Sequence, residues 1–142
     1  MLCADSSFLV SCYVDDAHSA EADRRMAVVS RPILVTPLHQ AEVAHAIHQY
    51  VFRGKLPHAE AQRAWLAFRR DCEADVFDEH DLPEAAWTLS IHLAQLYGPT
   101  LGVRTLDSLH VACALELNAQ KFWTFDDRQA RLAEAVGLDT TP

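Results

Sequence analysis

The sequence lacks several features that mark other classes of protein. Only 4 of its 142 residues are glycine, and no low-complexity run or internal repeat is present, so we predict neither a linker nor a disordered tail. No stretch approaches the roughly 20 consecutive apolar residues of a membrane helix. The first residues also lack the basic and long apolar segments of a signal peptide. These absences predict one globular domain, residues 1–142, with no membrane segment.

Cysteine is also scarce. The four cysteines, Cys3, Cys12, Cys72 and Cys113, form no C-x-x-C pair. Each lies within an apolar segment, which is typical of reduced thiols in the core of a cytosolic protein. We therefore predict a cytoplasmic protein without a disulfide framework.

Positive charge is in short supply as well. The chain has 12 lysine and arginine residues against 20 acidic ones, which gives a formal net charge of −8. This balance argues against a protein that coats nucleic acid by electrostatic attraction alone. It does not exclude an enzyme that acts on nucleic acid, because a metal ion and a few placed arginines can hold one phosphate locally.

The sequence does contain enough apolar material for a core, arranged in alternating segments. Half of the residues are hydrophobic, and short apolar runs alternate with stretches of helical periodicity. The predicted strands cover residues 2–4, 32–37, 74–78 and 121–125, with a short fifth strand from 138. The predicted helices cover residues 5–14 (opening at D-S-S), 18–29, 38–52, 57–73, 83–97, 104–117 and 127–136. This alternation predicts an α/β fold with a central parallel sheet of four or five strands flanked by helices.

Four acidic residues stand at informative positions relative to this sheet. In parallel α/β folds, sites form beyond the carboxyl ends of the strands. Asp5 and Asp126 each follow a predicted strand directly, and Glu42 lies in the first turns after the second strand. Asp107 lies on a helix face that is otherwise small or apolar, where an isolated carboxylate needs a partner or a metal ion. We expect the side chains of Asp5, Glu42 and Asp126 to be able to reach the same rim of the sheet.

Each acid also has a purely structural explanation. Asp5 and Asp126 precede predicted helices and suit the N-cap position, while Glu42 complements the dipole of its helix. Arg104, one turn before Asp107, is the obvious ion-pair partner for that acid. The four together are harder to explain, because like charges about 4 Å apart repel by about 4 kcal/mol at an effective dielectric constant near 20. Either the acids do not converge, or a divalent cation lies among them, and oxygen ligands suit Mg²⁺ or Mn²⁺.

Four segments, in this order, carry a resemblance to a known family. They are L-C-A-D-S-S at the start, Q-A-E-V-A around residue 42, R-T-L-D-S-L-H-V-A-C-A from 104 and W-T-F-D-D-R-Q-A-R from 123. Over residues 1–139 the chain resembles the PIN-domain ribonucleases and, within them, the VapC toxins of bacterial toxin–antitoxin pairs. The resemblance implies a three-layer PIN-like fold and a metal-dependent endoribonuclease that hydrolyses RNA phosphodiester bonds.

The resemblance also implies which residues form the site. The family's catalytic acids fall on Asp5, Glu42, Asp107 and Asp126. The expected ligands of Mg²⁺ or Mn²⁺ are Asp5, Asp107 and Asp126. Hydroxyl support is expected from Ser6 and Thr124, and the candidate phosphate contacts are Arg104, Arg53 and Lys55. Of the two adjacent acids at 126 and 127, we expect the first to serve the metal and the second to start the last helix.

Partners follow from the same resemblance. The family implies a small antitoxin that wraps the toxin and blocks its site, an RNA substrate and a homodimer. Trp65 and Phe68, on one face of the 57–73 helix, either line a groove for an antitoxin helix or belong to the core.

Three competing interpretations remain open at this stage. The first is a zinc site on the stripe His39, His45 and His48, although the spacing does not match H-E-x-x-H; we interpret His110 as a satisfied, partly buried histidine. The second is a receiver-like or phosphatase-like phosphoryl-transfer domain. Such a domain needs a second acid after strand 1, and this sequence offers only one. The third is a non-catalytic RNA-binding or protein-binding module on the same scaffold.

Overall fold

The central sheet consists of four short parallel strands. The computed structural model describes all of residues 1–142, and its strands are β1 (Leu2–Ala4), β2 (Ile33–Val35), β3 (Phe77–Glu79) and β4 (Lys121–Trp123). They lie in the order β3-β2-β1-β4, and every neighbouring pair is parallel. β1 and β2 are buried along their whole length, as expected for central strands that are covered on both faces.

Seven helices connect and flank these strands. They are α1 (Ser6–Ser11), α2 (Ser19–Val28), α3 (Pro37–Phe52), α4 (His58–Glu73), α5 (Glu84–Leu101), α6 (Thr105–Glu116) and α7 (Asp127–Ala135). Side chains of the sheet alternate between two cores, because successive residues of a strand point to opposite faces. Leu2 and Ala4 pack into a cluster with Phe8 and Phe68, whereas Cys3 packs into a second cluster with Leu109 and Leu132. The predicted three-layer α/β fold is thereby confirmed.

Helix α5 runs further than the sequence predicted. The Gly98-Pro99 pair was expected to end it at residue 97, but the helix continues through Pro99 to Leu101. Pro99 has no amide hydrogen to donate to the carbonyl of Gln95, four residues earlier. Gln95 is exposed, so water can satisfy that carbonyl. The helix ends at Gly102, whose φ of 63° lies in the left-handed region that glycine adopts readily.

Most of the predicted strands are shorter than expected. β2 and β4 each contain only three residues, within the predicted ranges 32–37 and 121–125. Residues 74–76 form a turn after α4 instead of opening β3, and Asp75 there has a φ of 56°. The short fifth strand is reduced to a single parallel bridge between Lys121 and Asp139.

The interior accounts for several side chains that the sequence left open. Phe68 is fully buried and its ring contacts those of Trp65 and Tyr13, so Phe68 belongs to the core and cannot line a groove. All four cysteines are free, as predicted, and Cys12 alone is partly exposed. None of the helices combines the length and the apolar character needed to span a bilayer.

Candidate active-site cleft

The four predicted acids share one cleft with a volume of about 690 Å³. Asp5 follows β1 and Asp126 lies in the loop after β4, so both come from the carboxyl edge of the sheet. Glu42 reaches the same cleft from α3 and Asp107 from α6. A fifth acid, Asp16, also lines it. The convergence that the sequence suggested is therefore present in the fold.

Asp5 is the most deeply buried of these acids, with 1% of its surface exposed. Its Oδ1 caps α1 by accepting hydrogen bonds from Ser7 Oγ at 2.7 Å and from the Phe8 amide at 3.0 Å. Its Oδ2 accepts one from Gln129 Nε2 at 2.9 Å. No ion pair of the molecule includes this carboxylate. Burial raises the pKa of Asp5 above its usual value, although the Ser7 and Phe8 hydrogen bonds act in the opposite direction.

Asp126 serves the last helix and the cleft at once. Its Oδ1 accepts hydrogen bonds from the amides of Arg128, at 2.8 Å, and Gln129, at 3.2 Å, so it is the N-cap of α7. Its Oδ2 lies 3.5 Å from Nη2 of Arg104. Helix α7 does begin at Asp127, as expected, but Asp127 is exposed and does not cap it. The start of the helix at Asp127 is thus as expected, but the side chain that caps the helix is that of Asp126, whose second oxygen remains at the cleft. The role of Asp126 as a metal ligand stays a prediction.

Asp107 is buried at the start of α6 and is held by Arg104. Its Oδ2 accepts from the Arg104 amide at 2.8 Å and from Nε at 3.1 Å, while Oδ1 lies 3.3 Å from Nη2. The carboxylate thus satisfies the helix N-terminus and forms an ion pair with the same residue. The structural partner that the sequence suggested for Asp107 is present. The carboxylate also raises the pKa of Arg104.

Glu42 reaches the cleft from the second turn of α3. Its Oε2 is hydrogen-bonded to Nε2 of His110, which lies buried on α6. His110 is thus a satisfied histidine, as the sequence suggested, but it is fully buried instead of partly buried. Glu42 is the only one of the four acids that is hydrogen-bonded to a histidine.

Hydroxyl groups support the site, but not all of those predicted. Thr124 Oγ1 accepts a hydrogen bond from the Asp126 amide at 2.9 Å, in keeping with its expected role. Ser6 lines the cleft, but Ser7 is the residue that donates to Asp5. Ser7 Oγ also accepts from the Phe125 amide at 2.9 Å, so it joins the loops after β1 and β4. The choice of Ser6 as the supporting serine is therefore wrong for Asp5, because the α1 turn directs the next side chain toward that carboxylate.

Gln129 is a site residue that sequence reasoning missed. It is buried in the wall of the cleft and donates to Asp5, and its Oε1 is buried without a hydrogen-bond partner. A signal existed, since D-x-x-Q at 126–129 is a capping-box spacing that places glutamine at the helix start. The side chain, however, turns to Asp5 instead of back to the N-cap amide.

The three candidate phosphate contacts are placed differently from one another. Arg104 and Arg53 both line the cleft, which supports their candidacy. Lys55 does not line it, and lies instead on a neighbouring cavity of about 350 Å³ beside Asp15 and Asp16. The structure therefore offers two basic side chains at the acids, not three.

The histidine stripe on α3 does not form a site. His39 is fully buried, whereas His45 and His48 are exposed. Nine residues correspond to two and a half helical turns, which puts His39 and His48 on opposite sides of α3. The zinc interpretation of this stripe is not supported.

The carboxylate oxygens of the cleft are the type of ligand that a hard divalent cation prefers, although the side chains are not arranged as a coordination shell. The donors are carboxylate oxygens, as Mg²⁺ and Mn²⁺ prefer, and Asp5 is a buried carboxyl group without a basic partner. As the side chains stand, no three His, Cys, Asp or Glu residues are placed to hold an ion, and Arg104 bridges Asp107 and Asp126. The types of donor in the cleft therefore fit such an ion, whereas the present placement of the side chains does not form a site for one.

Comparisons with known proteins agree with this architecture. The profile of the PIN domain matches residues 2–135. The solved structures that share the fold include VapC20 of Mycobacterium tuberculosis, a sarcin–ricin loop cleaving toxin, with a TM-score of 0.76, 15% identity and full coverage of both chains. FitAcB of Neisseria gonorrhoeae has a TM-score of 0.68 at 11% identity, covering 100% of this chain and 97% of that one. VapBC2 of Rickettsia felis, solved with a DNA fragment from their promoter, has a TM-score of 0.64 at 12% identity, covering 99% and 96%.

A comparison with curated proteins finds no match. At such low identities the three solved structures establish the shared fold and no more. The family profile, by contrast, spans nearly the whole chain and includes all four acids of the cleft. The chain therefore belongs to the PIN domain family.

Proposed function

We propose that the chain is a metal-dependent endoribonuclease, the toxin of a toxin–antitoxin pair, that hydrolyses RNA phosphodiester bonds. The observation that carries the proposal is that four carboxylates from four separate elements line one cleft. Such a cluster opposes folding through charge repulsion, so a functional reason accounts for it better than a structural one. VapC20, which shares the fold, cleaves the sarcin–ricin loop, and this supports RNA as the substrate class.

Each acid receives a task in this proposal. Asp5, Asp107 and Asp126 would hold Mg²⁺ or Mn²⁺, which when bound activates water for attack and offsets the charge that develops on the phosphate oxygens. Glu42, tethered through one oxygen to His110, accepts the proton of the attacking water. Because these acids come from different elements, the fold itself fixes their separation.

The two arginines of the cleft contact the substrate in this proposal. The side chain of Arg104 is 62% exposed, so it can turn away from Asp107 without unpacking the core. Its guanidinium is then free to bind a phosphate oxygen, and Arg53 supplies a second contact from the end of α3. Both residues keep RNA close to a cleft that is otherwise negatively charged.

The proposal is tested by comparing RNA cleavage by the wild type and the Asp107→Asn variant, with Mg²⁺ and with a chelator. We expect metal-dependent cleavage by the wild type and a loss of at least about 100-fold in the variant. Asp127→Asn is the matched control, because it removes an equal charge from an exposed residue next to the site. Equal cleavage by wild type and Asp107→Asn, or cleavage that survives the chelator, would overturn the assignment.

The partners belong to the same proposal. We propose a small antitoxin that covers the cleft, a homodimer and a cytoplasmic location, in line with the resemblance to VapC toxins. Expression of the chain should arrest growth, and co-expression of a small protein encoded beside it should relieve the arrest. Growth arrest that also occurs with Asp107→Asn would point to a cause other than cleavage.

A non-catalytic binding module is the second candidate. It is favoured by the observation that every acid already has a partner within the chain, such as Arg104 for Asp107 and His110 for Glu42. A binding module would retain RNA or protein without cutting it. RNA binding by the wild type without cleavage, at any divalent cation concentration, would select this candidate.

A further inference from the structure

A chain of buried hydrogen-bonding groups runs behind Glu42. His39, near the start of α3, and His110, in the middle of α6, are 0% and 1% exposed. Their rings meet edge to face with centroids 4.6 Å apart, and His39 Nε2 lies 3.3 Å from His110 Nδ1. His110 Nε2 then contacts Oε2 of Glu42 at the cleft. The two rings therefore connect the interior of the protein to one acid of the site.

The backbone fixes the direction of these hydrogen bonds at the inner end. The Thr36 amide lies 3.0 Å from Nδ1 of His39, and a backbone amide can only donate. Nδ1 of His39 therefore carries no proton, and the proton of the neutral ring is on Nε2. That proton lies beside Nδ1 of His110 and the Ala4 carbonyl, and a proton on Nδ1 of His110 would point at it. The proton of His110 is therefore on Nε2 and is donated to Glu42.

The surroundings keep His39 neutral. Complete burial, together with the neighbouring His110, holds the pKa of His39 well below its usual value. The Cys3 thiol, 3.7 Å from His39 Nε2, is a weaker acceptor than an imidazole nitrogen and does not change this pattern.

We propose that His39 and His110 are positioning residues for Glu42: His110 donates to its carboxylate, and His39 holds His110 in the tautomer that can donate. The inference rests on the proposed function, in which Glu42 accepts a proton from the attacking water. With Oε2 engaged, the carboxylate is held in one orientation and Oε1 remains for the water. Buried polar rings cost stability unless every group is satisfied, and an apolar pair would fill the same space without this requirement.

The tautomers can be measured without any substrate. Long-range ¹H–¹⁵N spectra of ¹⁵N-histidine-labelled protein at neutral pH report which ring nitrogen carries the proton, and the variants His39→Asn and His110→Gln assign the two rings. We expect each ring to carry its proton on Nε2. In His39→Asn, whose side-chain oxygen can still accept from the Thr36 amide, His110 should change to a mixture of tautomers. A proton on Nδ1 of His110 in the wild type would overturn the inference.

Kinetics on RNA test what the tautomer is for. His110→Gln places an amide Nε2 where the ring nitrogen was and keeps a donor for Glu42, whereas His110→Met fills a similar volume without a donor. We expect His110→Met to lower kcat by about 10–100-fold with KM unchanged, and His110→Gln to retain most of the wild-type kcat. This rescue by a donor separates positioning from packing, since both variants remove the ring.

The outcomes distinguish this inference from the function on which it rests. A wild type that cleaves no RNA overturns the proposed function and this inference together. A wild type that cleaves, with a His110→Met variant of equal kcat, overturns this inference alone. A parallel loss in Met and Gln variants also overturns it, because a role in packing predicts no rescue.

Discussion

Arg104 is expected to compete with a divalent cation for the acids of the cleft. Its guanidinium bonds to Asp107 at 3.1 and 3.3 Å and to Asp126 at 3.5 Å, so removal of the side chain deprives both acids of a counter-charge. Charge-assisted hydrogen bonds contribute roughly 1.5–3 kcal/mol each, but the side chain is 62% exposed. Screening by solvent reduces the total to about 1 kcal/mol.

The Arg104→Gln variant should therefore show two linked changes. The free energy of unfolding of the metal-free protein should fall by about 1 kcal/mol. The wild type must break the same interactions before an ion can enter, so the variant should bind Mn²⁺ more tightly by the same amount, about fivefold in Kd. Arg104 is also proposed to contact RNA, so the same variant should bind its substrate more weakly. Metal binding is therefore measured directly, without RNA.

Isothermal titration with Mn²⁺ and urea unfolding in a chelator measure these two changes. Arg53→Gln is the matched control, because Arg53 lines the same cleft but forms no ion pair with any acid. It reports the effect of removing a positive charge in general. If Arg104→Gln binds Mn²⁺ no more tightly than Arg53→Gln does, the guanidinium does not compete with the ion and the reasoning fails.

Two further predictions concern stability. Because burial raises the folded-state pKa of Asp5, the folded state binds this proton more tightly than the unfolded state, so the contribution of Asp5 to stability falls as pH rises above about 3.9, the usual aspartate value. In a chelator, urea unfolding across pH should show a smaller decline for Asp5→Asn than for the wild type, and identical pH profiles would contradict the burial argument. Phe68→Ala should lower the free energy of unfolding by about 3–5 kcal/mol, because it leaves a cavity in the core. Leu66→Ala, on the exposed face of the same helix, is the control, and a similar loss in both variants would contradict the placement of Phe68.

Much of the fold was predictable because its signals are local. Apolar runs bounded by turn residues mark strands, and helical periodicity marks the connections between them. The end of α5 was not predictable in this way. Gly98 and Pro99 are strong breakers in isolation, but only three helical residues follow Gly98, so packing of the preceding turns outweighs one lost hydrogen bond near the end.

The placement of the acids at one edge of the sheet was predictable, and so was Arg104 beside Asp107, but the partners that lie far away in the sequence were not. Position after a strand or on an apolar helix face singles out Asp5 and Asp107 without knowledge of the fold. The bonds from Gln129 to Asp5 and from His110 to Glu42 join residues 124 and 68 positions apart. Such contacts depend on rotamers and on the packing of helices, and a single sequence carries little information on either.

A side chain that caps a helix can also face the cleft, so the structural and the proposed functional roles of each acid are compatible. Asp5 caps α1 and Asp126 caps α7, while Asp107 accepts the amide at the start of α6. Three helix N-termini therefore point at the cleft, and their partial positive charges, each worth roughly 0.3–1 kcal/mol, offset part of the repulsion among the acids. Together with Arg104 they explain how the chain can hold these carboxylates before any ion arrives. Direct measurement of ion binding to the metal-free protein therefore tests the metal site independently of RNA cleavage.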